Sequence, residues 1–223
     1  MEDAITREAL RLHSRYTEEI VERFDICPWA RRARTAGEWE RYVLLQVDGD
    51  LEAPLDAIRR VGLDPRRLSV AILILPRIDL SPRHFDDFVA ALRKADQDRS
   101  DGRPSFVAAS FHPDYPRNDR SPASLVPFFR RSPDPSIQLV RLSILDEARG
   151  GSHGKFLFDF SPSAYAELAR RRENPSVTDR ITTDNAARLQ SETPERLEAI
   201  YRDICEDRDR TYAALGEVKP RAR

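Results

Sequence analysis

Ser69-Val70-Ala71-Ile72-Leu73-Ile74-Leu75 is an almost unbroken run of β-branched and apolar residues. A strand with one wet face alternates apolar and polar positions, and this run does not, so it reads as a central strand covered on both faces. Upstream, Arg41-Tyr42-Val43-Leu44-Leu45-Gln46-Val47 is a strand candidate. Residues 51–61, with Leu55, Ile58 and Val61 at helical spacing, predict a helix stopped by Gly62. Downstream, Ser81-Pro82 supplies an N-cap and a first-turn proline, and Phe85, Phe88, Val89 and Leu92 make the buried stripe of the next helix. Phe106 to Ser110 is a third strand and Ile137 to Leu142 a fourth. This alternation predicts an α/β or α+β fold, with a mixed, mostly parallel four-stranded sheet flanked by helices.

Helical segments are expected on both sides of that core. Ile5, Ala9, Leu12, Tyr16, Ile20 and Phe24 recur every three or four residues, which predicts a long N-terminal helix ending near Asp25; a shorter basic helix then starts at Pro28. In the last quarter Ser161-Pro162 and Thr193-Pro194 read as helix starts, and Leu197, Ile200, Ile204, Thr211 and Leu215 give the final helix a buried edge. The polar stretch from Asn174 to Pro194 is a candidate hinge. The expected organisation is an α/β core domain over residues 1–150 and a helical C-terminal extension over 151–223 packed on it.

Composition bounds the function. In 223 residues, 37 basic side chains stand against 38 acidic ones, a net charge of -1 that gives no electrostatic reason to expect nucleic acid or an anionic membrane as partner. Only Lys94, Lys155 and Lys219 are lysines, so an arginine bias runs through the whole chain and each arginine has to be weighed by its neighbours. No apolar run approaches a membrane span, and Met1-Glu2-Asp3-Ala4 lacks the opening of a secretory signal, so a cytoplasmic protein is expected. The two cysteines, Cys27 and Cys205, do not form a disulfide framework.

Cys27 sits in Ile26-Cys27-Pro28-Trp29-Ala30, just before Arg31-Arg32-Ala33-Arg34. Proline is favoured at the first helical position, which makes Cys27 the cap; a positive helix end and guanidinium groups both favour a thiolate there. The alternative is a small buried hydrophobe at a helix corner, which also describes Cys205. His112, in Phe111-His112-Pro113-Asp114-Tyr115, follows directly from a buried strand, where ligands of open α/β sheets bind. Asp114 and Tyr115 lie within one turn of it. From Asp114 to Arg141 five arginines, among them Arg117, Arg130, Arg131 and Arg141, face three aspartates. With Ser132 this connection reads either as an anion clamp or as a long loop pinned by its own ion pairs. His13 and His84 read as surface or edge residues. Arg149 to Lys155, around His153, lacks the spacing of a phosphate loop.

Taken in order, Ile26 to Ala30, Arg41-Tyr42-Val43, Ile72 to Pro76, Ala109 to Tyr115 and Arg131-Ser132-Pro133-Asp134-Pro135 resemble domain-of-unknown-function family 1415. The family pattern runs roughly Leu-Cys-Pro-Phe-Ala, Ser-Phe-His-Pro-Asp-Tyr, Asn-Arg-Ser-Pro-Tyr-Pro and a closing Leu-Arg, and the likeness spans about residues 20–148. The chain departs from it at Arg130 for asparagine, Asp134 for tyrosine and Gln138 for histidine. The resemblance groups the motifs and implies no reaction or cofactor.

Three functions fit these residues. The first is a small soluble enzyme acting on an anionic small molecule, with Cys27 as nucleophile or redox centre, His112 as acid/base, Asp114 and Tyr115 beside it, and Arg31, Arg117, Arg130, Arg131, Ser132 and Arg141 holding the anion. The second is a metal- or haem-binding protein using Cys27 and His112 as ligands. The third is a non-catalytic ligand-binding or interaction module, with the terminal helices as a candidate homodimer interface.

Overall fold

The computed structural model describes residues 2–27, 30–64, 67–102, 104–117, 126–144 and 194–217. Pro28, Arg120, the Arg149 to Lys155 loop with His153, the Ser161-Pro162 helix start and the candidate hinge from 174 to 193 lie outside the described residues. Helix α1 (Glu2–Tyr16) runs on as a π-helical turn (Thr17–Glu22), and α2 (Ala30–Thr35) follows. Then come β1 (Trp39–Val43), α3 (Glu52–Leu63), β2 (Val70–Ile74), α4 (Pro82–Arg99), β3 (Phe106–Phe111), the short α5 (Val126–Phe129), β4 (Ser136–Arg141) and α6 (Pro194–Ala214).

All five residues of β2 are buried, as an apolar run without alternation requires. Ser81 caps α4 by accepting the His84 amide at 3.4 Å, with Pro82 in the first turn. Strand β1 starts two residues before the predicted stretch and stops at Val43. Beyond it the Gln46 side chain donates back to the Asp48 and Asp50 carbonyls, and Val47 is 64% exposed, so the chain has already turned outward.

The sheet is mixed in the order β1-β2-β4-β3, and the expectation of a mostly parallel sheet is corrected: β1 and β2 pair in parallel, while β4 is antiparallel to both β2 and β3. Strands β1, β2 and β3 therefore run the same way, but the α4 crossover lands one strand away from β2. Strand β4 returns into that gap and bonds on both sides. Period-two patterning marks which segments are strands and carries no record of which strand fills such a gap.

Two cores flank the sheet. On one face Leu73, Ile137, Leu139, Phe106 and Ala108 pack under α3 and α4, with Phe85 and Leu92 fully buried. On the other, Val70, Ile72 and Ile74 pack against Ala9 of α1 and Ala33 of α2. This second core continues through Tyr16 and Ile20 to Tyr201, Ile204 and Cys205 of α6. The terminal helices thus pack on each other within the chain, and Arg11 and Arg15 of α1 bridge Asp207 and Asp203 of α6. Among the described residues no helix is long and apolar enough to cross a membrane.

Asp134, on the turn before β4, ties α6 to the sheet. Its carboxylate accepts from Arg208 Nε at 2.6 Å and from the Tyr212 hydroxyl at 2.8 Å, and Asp134 is only 2% exposed. Removing Asp134 leaves the buried Arg208 with the more exposed Asp209 as its remaining carboxylate, so Asp134→Ala is expected to lower unfolding free energy by up to about 3–5 kcal/mol in urea titrations. The double variant Asp134→Leu with Arg208→Met should recover much of that loss. An Asp134→Ala chain as stable as the native one would contradict this account of the dock.

Candidate functional site

Two turns aim the Cys27 segment. At the end of the π turn the Ile26 amide donates to Val21 O at 2.9 Å and the Asp25 amide to Glu22 O at 3.3 Å, while Asp25 takes φ 49°. This is a Schellman-type stop with aspartate in the left-handed position that glycine usually fills. Helix α2 ends in the same way, with Glu38 N to Ala33 O and Gly37 N to Arg34 O, and here glycine supplies φ 70°. Between these stops the Ala30 amide donates to Cys27 O at 3.2 Å. The segment is also clamped by Glu22, whose carboxylate takes two bonds from Arg34, at 2.7 and 2.8 Å, and is held below the usual carboxylate range by them.

Cys27 is half-buried, and the Gln138 carboxamide donates to its sulfur at 3.8 Å, across 111 residues of sequence. Gln138 lies on β4 opposite Ile72, which packs on the α1 and α2 side, so the contact belongs to that face. Beside it stands Tyr16, 3% exposed, with a buried hydroxyl that has no hydrogen-bond partner among the described residues. Burial, together with the charge of the Cys27 sulfur, raises the phenol's pKa. Arg31 lies on the first turn of α2 with its side chain 66% exposed, anchored by a bond from Nη2 to Glu22 O at 2.7 Å and by the Glu22 carboxylate 4.0 Å from its Nε.

Behind Tyr16 lies a polar layer that the sequence reading missed. His13 is buried against Tyr16 and Trp39, contrary to the surface position expected of it, and its Nδ1 is 3.3 Å from the Thr17 hydroxyl. Arg41 of β1 lies 4.8 Å over Trp39 and donates to Leu10 O and to Ser14 Oγ. The available signal was His13, Tyr16 and Thr17 at steps of three and four, a polar stripe beside the apolar one.

His112 faces the other side of the sheet. The even-numbered residues of β3 point at α4, and His112 packs on Phe85 and Tyr115. Its Nδ1 accepts the Asp114 amide at 3.1 Å, which leaves Nε2 to carry the proton and donate to Leu80 O at 2.9 Å. Both ring nitrogens are thus bonded to backbone. Asp114 contributes its amide, and its carboxylate stays 3.9 Å from Nδ1. The Tyr115 hydroxyl donates to Asp86 and lies 2.8 Å from Ser110 Oγ; burial and the Asp86 carboxylate both raise its pKa.

The arginine connection is largely tied to the protein itself. Arg131 donates to Tyr115 O at 2.7 Å and to Glu198 of α6, and stacks over Phe128. Arg117 also lies over Phe128, at 5.5 Å, and the Arg130 carbonyl accepts the His112 amide. Ser132 is fully buried, donating to Asp134 O and accepting from Ser136. Arg141 sits apart, over Phe106 near the far end of the sheet, bonded to Leu68 O. The structure brings Cys27 and Arg31 into one place, His112, Asp114, Tyr115, Arg131 and Ser132 into a second, and Arg141 into a third. Cys27 and His112, the two candidate metal ligands, lie on opposite faces of the sheet. Among the described residues no group of three or more His, Cys, Asp or Glu side chains could hold a metal ion.

Burial, reinforced by the charge of Arg41, lowers the His13 pKa to about 3, against 6.5 unfolded. Between these values the unfolded chain binds a proton that the folded one refuses, so this contribution to stability is full above pH 6.5 and is lost as pH falls. Urea titrations should show a decline of up to about 1.4 kcal/mol per pH unit between pH 6.5 and 4.5. His13→Gln should flatten it; an unchanged slope in that variant would assign the decline to other groups.

No curated protein and no solved structure matches the chain. The family described as "Protein of unknown function (DUF1415)" matches residues 9–154, about two thirds of the chain, and the chain belongs to that family.

Proposed function

We propose that this chain is an enzyme that uses the Cys27 thiol on a small anionic molecule. The observation that carries the reading is the Gln138 carboxamide, delivered by the central strand to the Cys27 sulfur. A neutral donor so placed interacts more strongly with a thiolate than with a thiol, and a carboxamide beside a nucleophile also serves an oxyanion that forms there. Tyr16 supports the same site, because a buried hydroxyl without a partner among the described residues calls for one, which a bound ligand would supply. The exposed guanidinium of Arg31, four residues from Cys27, offers an incoming anion its first contact. In this reading Cys27 is the nucleophile, Gln138 the donor and Arg31 the anion contact. His112 is a positioning residue that holds the turn after β3.

Iodoacetamide labelling of the native protein, followed by peptide mass mapping, compares Cys27 with Cys205, which is only 7% exposed. Cys27 is expected to label at least about tenfold faster, and Gln138→Met to slow it several-fold without changing the melting temperature. For anionic metabolites found by thermal-shift screening, Cys27→Ser should keep the shift and lose turnover. Equal labelling of the two cysteines in the folded chain would defeat the proposal. Turnover that survives Cys27→Ser would move the chemistry elsewhere, and binding without turnover in the native chain would leave a ligand-binding module.

A further inference from the structure

We propose that the face of the sheet opposite Cys27 carries a binding site for a small apolar molecule ending in a carboxylate. A cavity of about 400 Å³ opens between the C-terminal half of α4 and strands β3 and β4. That volume lies within the range of small-molecule sites, which are mostly apolar with a few polar groups that fix orientation. Its floor has this character, since Ile58, Phe106, Ala108 and Leu139 are all buried hydrophobics. The α4 wall brings two cationic side chains, Arg93 and Lys94.

A third cation, Arg141, stacks on the floor residue Phe106 from outside the lining itself. The Arg141 guanidinium lies 4.7 Å over the Phe106 ring, and its Nη2 is buried with no hydrogen-bond partner among the described residues. Such a donor forfeits its bond to water without replacement, a cost that an anionic oxygen from a ligand removes. Burial and nearby Arg67 lower the Arg141 pKa, outweighing the opposing charge of Asp64. Asp96 also lines the cavity, and burial raises its pKa. The apolar floor fixes the body of the ligand, and Arg93 and Lys94, with Arg141 beside Phe106, fix its end.

The test is calorimetric titration of the full chain with 3-phenylpropionate, and with 3-phenylpropionamide as its uncharged match. The carboxylate is expected to bind, and the amide to bind about tenfold more weakly or worse. Ala90→Trp, which fills the cavity from the exposed side of α4, and Lys94→Glu should each weaken the carboxylate by about tenfold with unchanged melting temperatures; Arg141→Met should weaken it as well. Cys27→Ser should leave it untouched, which separates this site from the proposed thiol chemistry. Absence of binding, equal affinity for acid and amide, indifference to both α4 variants, or loss of binding in Cys27→Ser would each overturn the proposal.

Discussion

The insertion of β4 between β2 and β3 is the constraint on which the rest of the molecule depends. A strand bonded on both sides has its register set twice, by Val70 to Ile74 on one flank and by Phe106 to Phe111 on the other. To reach that slot the chain must leave β3 at the sheet's end, cross over and come back down the middle. Both turns of this excursion need their backbone polar groups satisfied where water is scarce. His112 performs that task at the first turn, through Leu80 O and the Asp114 amide. Ser132 and Asp134 perform it at the second, and the His112 amide ties the turns together by donating to Arg130 O at 3.0 Å. The most distinctive motifs of the sequence thus sit where the topology is hardest to close.

The same strand divides the chemistry between two faces. Residues of β4 alternate, so Ile137 and Leu139 enter the α3 and α4 core while Gln138 points under α1 and reaches Cys27. A one-residue slip would exchange those assignments, burying the carboxamide among phenylalanines and withdrawing the donor from the sulfur. Bonding on both flanks resists such a slip, so the position of Gln138 is as well defined as the sheet itself, and the turns around Cys27 bring the sulfur to it. The histidine and the cysteine that share a motif order in sequence are separated by this alternation.

Local signals were legible in the sequence and long-range partnerships were not. The β2 run, the Ser81 cap and the α1 stripe each express their structure within a few residues, and each element formed where its pattern lies. The place of β4 in the sheet depends on where a crossover lands, which no window of residues records. His13 read as a surface residue because its partners, Trp39 and Arg41, come from a strand more than 25 positions away. His112 was recognisable as a strand-end residue, but its bonds to backbone carbonyl and amide carry no side-chain signature. Gln138 left a trace, since it stands where the resembling family pattern has histidine, and that position proves to touch Cys27.

Asp134 is a second such departure, standing where the pattern has tyrosine. A carboxylate at 2% exposure is tolerable only with a cation and hydrogen bonds around it, and both come from α6, as Arg208 and Tyr212. These residues lie beyond position 154, where the family match ends. Asp134 therefore depends on Arg208 for its only cationic partner among the described residues, whereas Arg208 also bonds Asp209 at 3.0 Å. The turn still has a tyrosine hydroxyl beside it, supplied by α6 in place of its own backbone position. The Tyr201 hydroxyl adds a second tie, donating to Pro113 O and Ser132 O, one carbonyl from each end of the β3–β4 excursion. The helix outside the family match thus holds shut the two turns that carry the family's own motifs, and it also packs on Ile26 and Tyr16 beside Cys27, so loss of α6 would loosen both regions together.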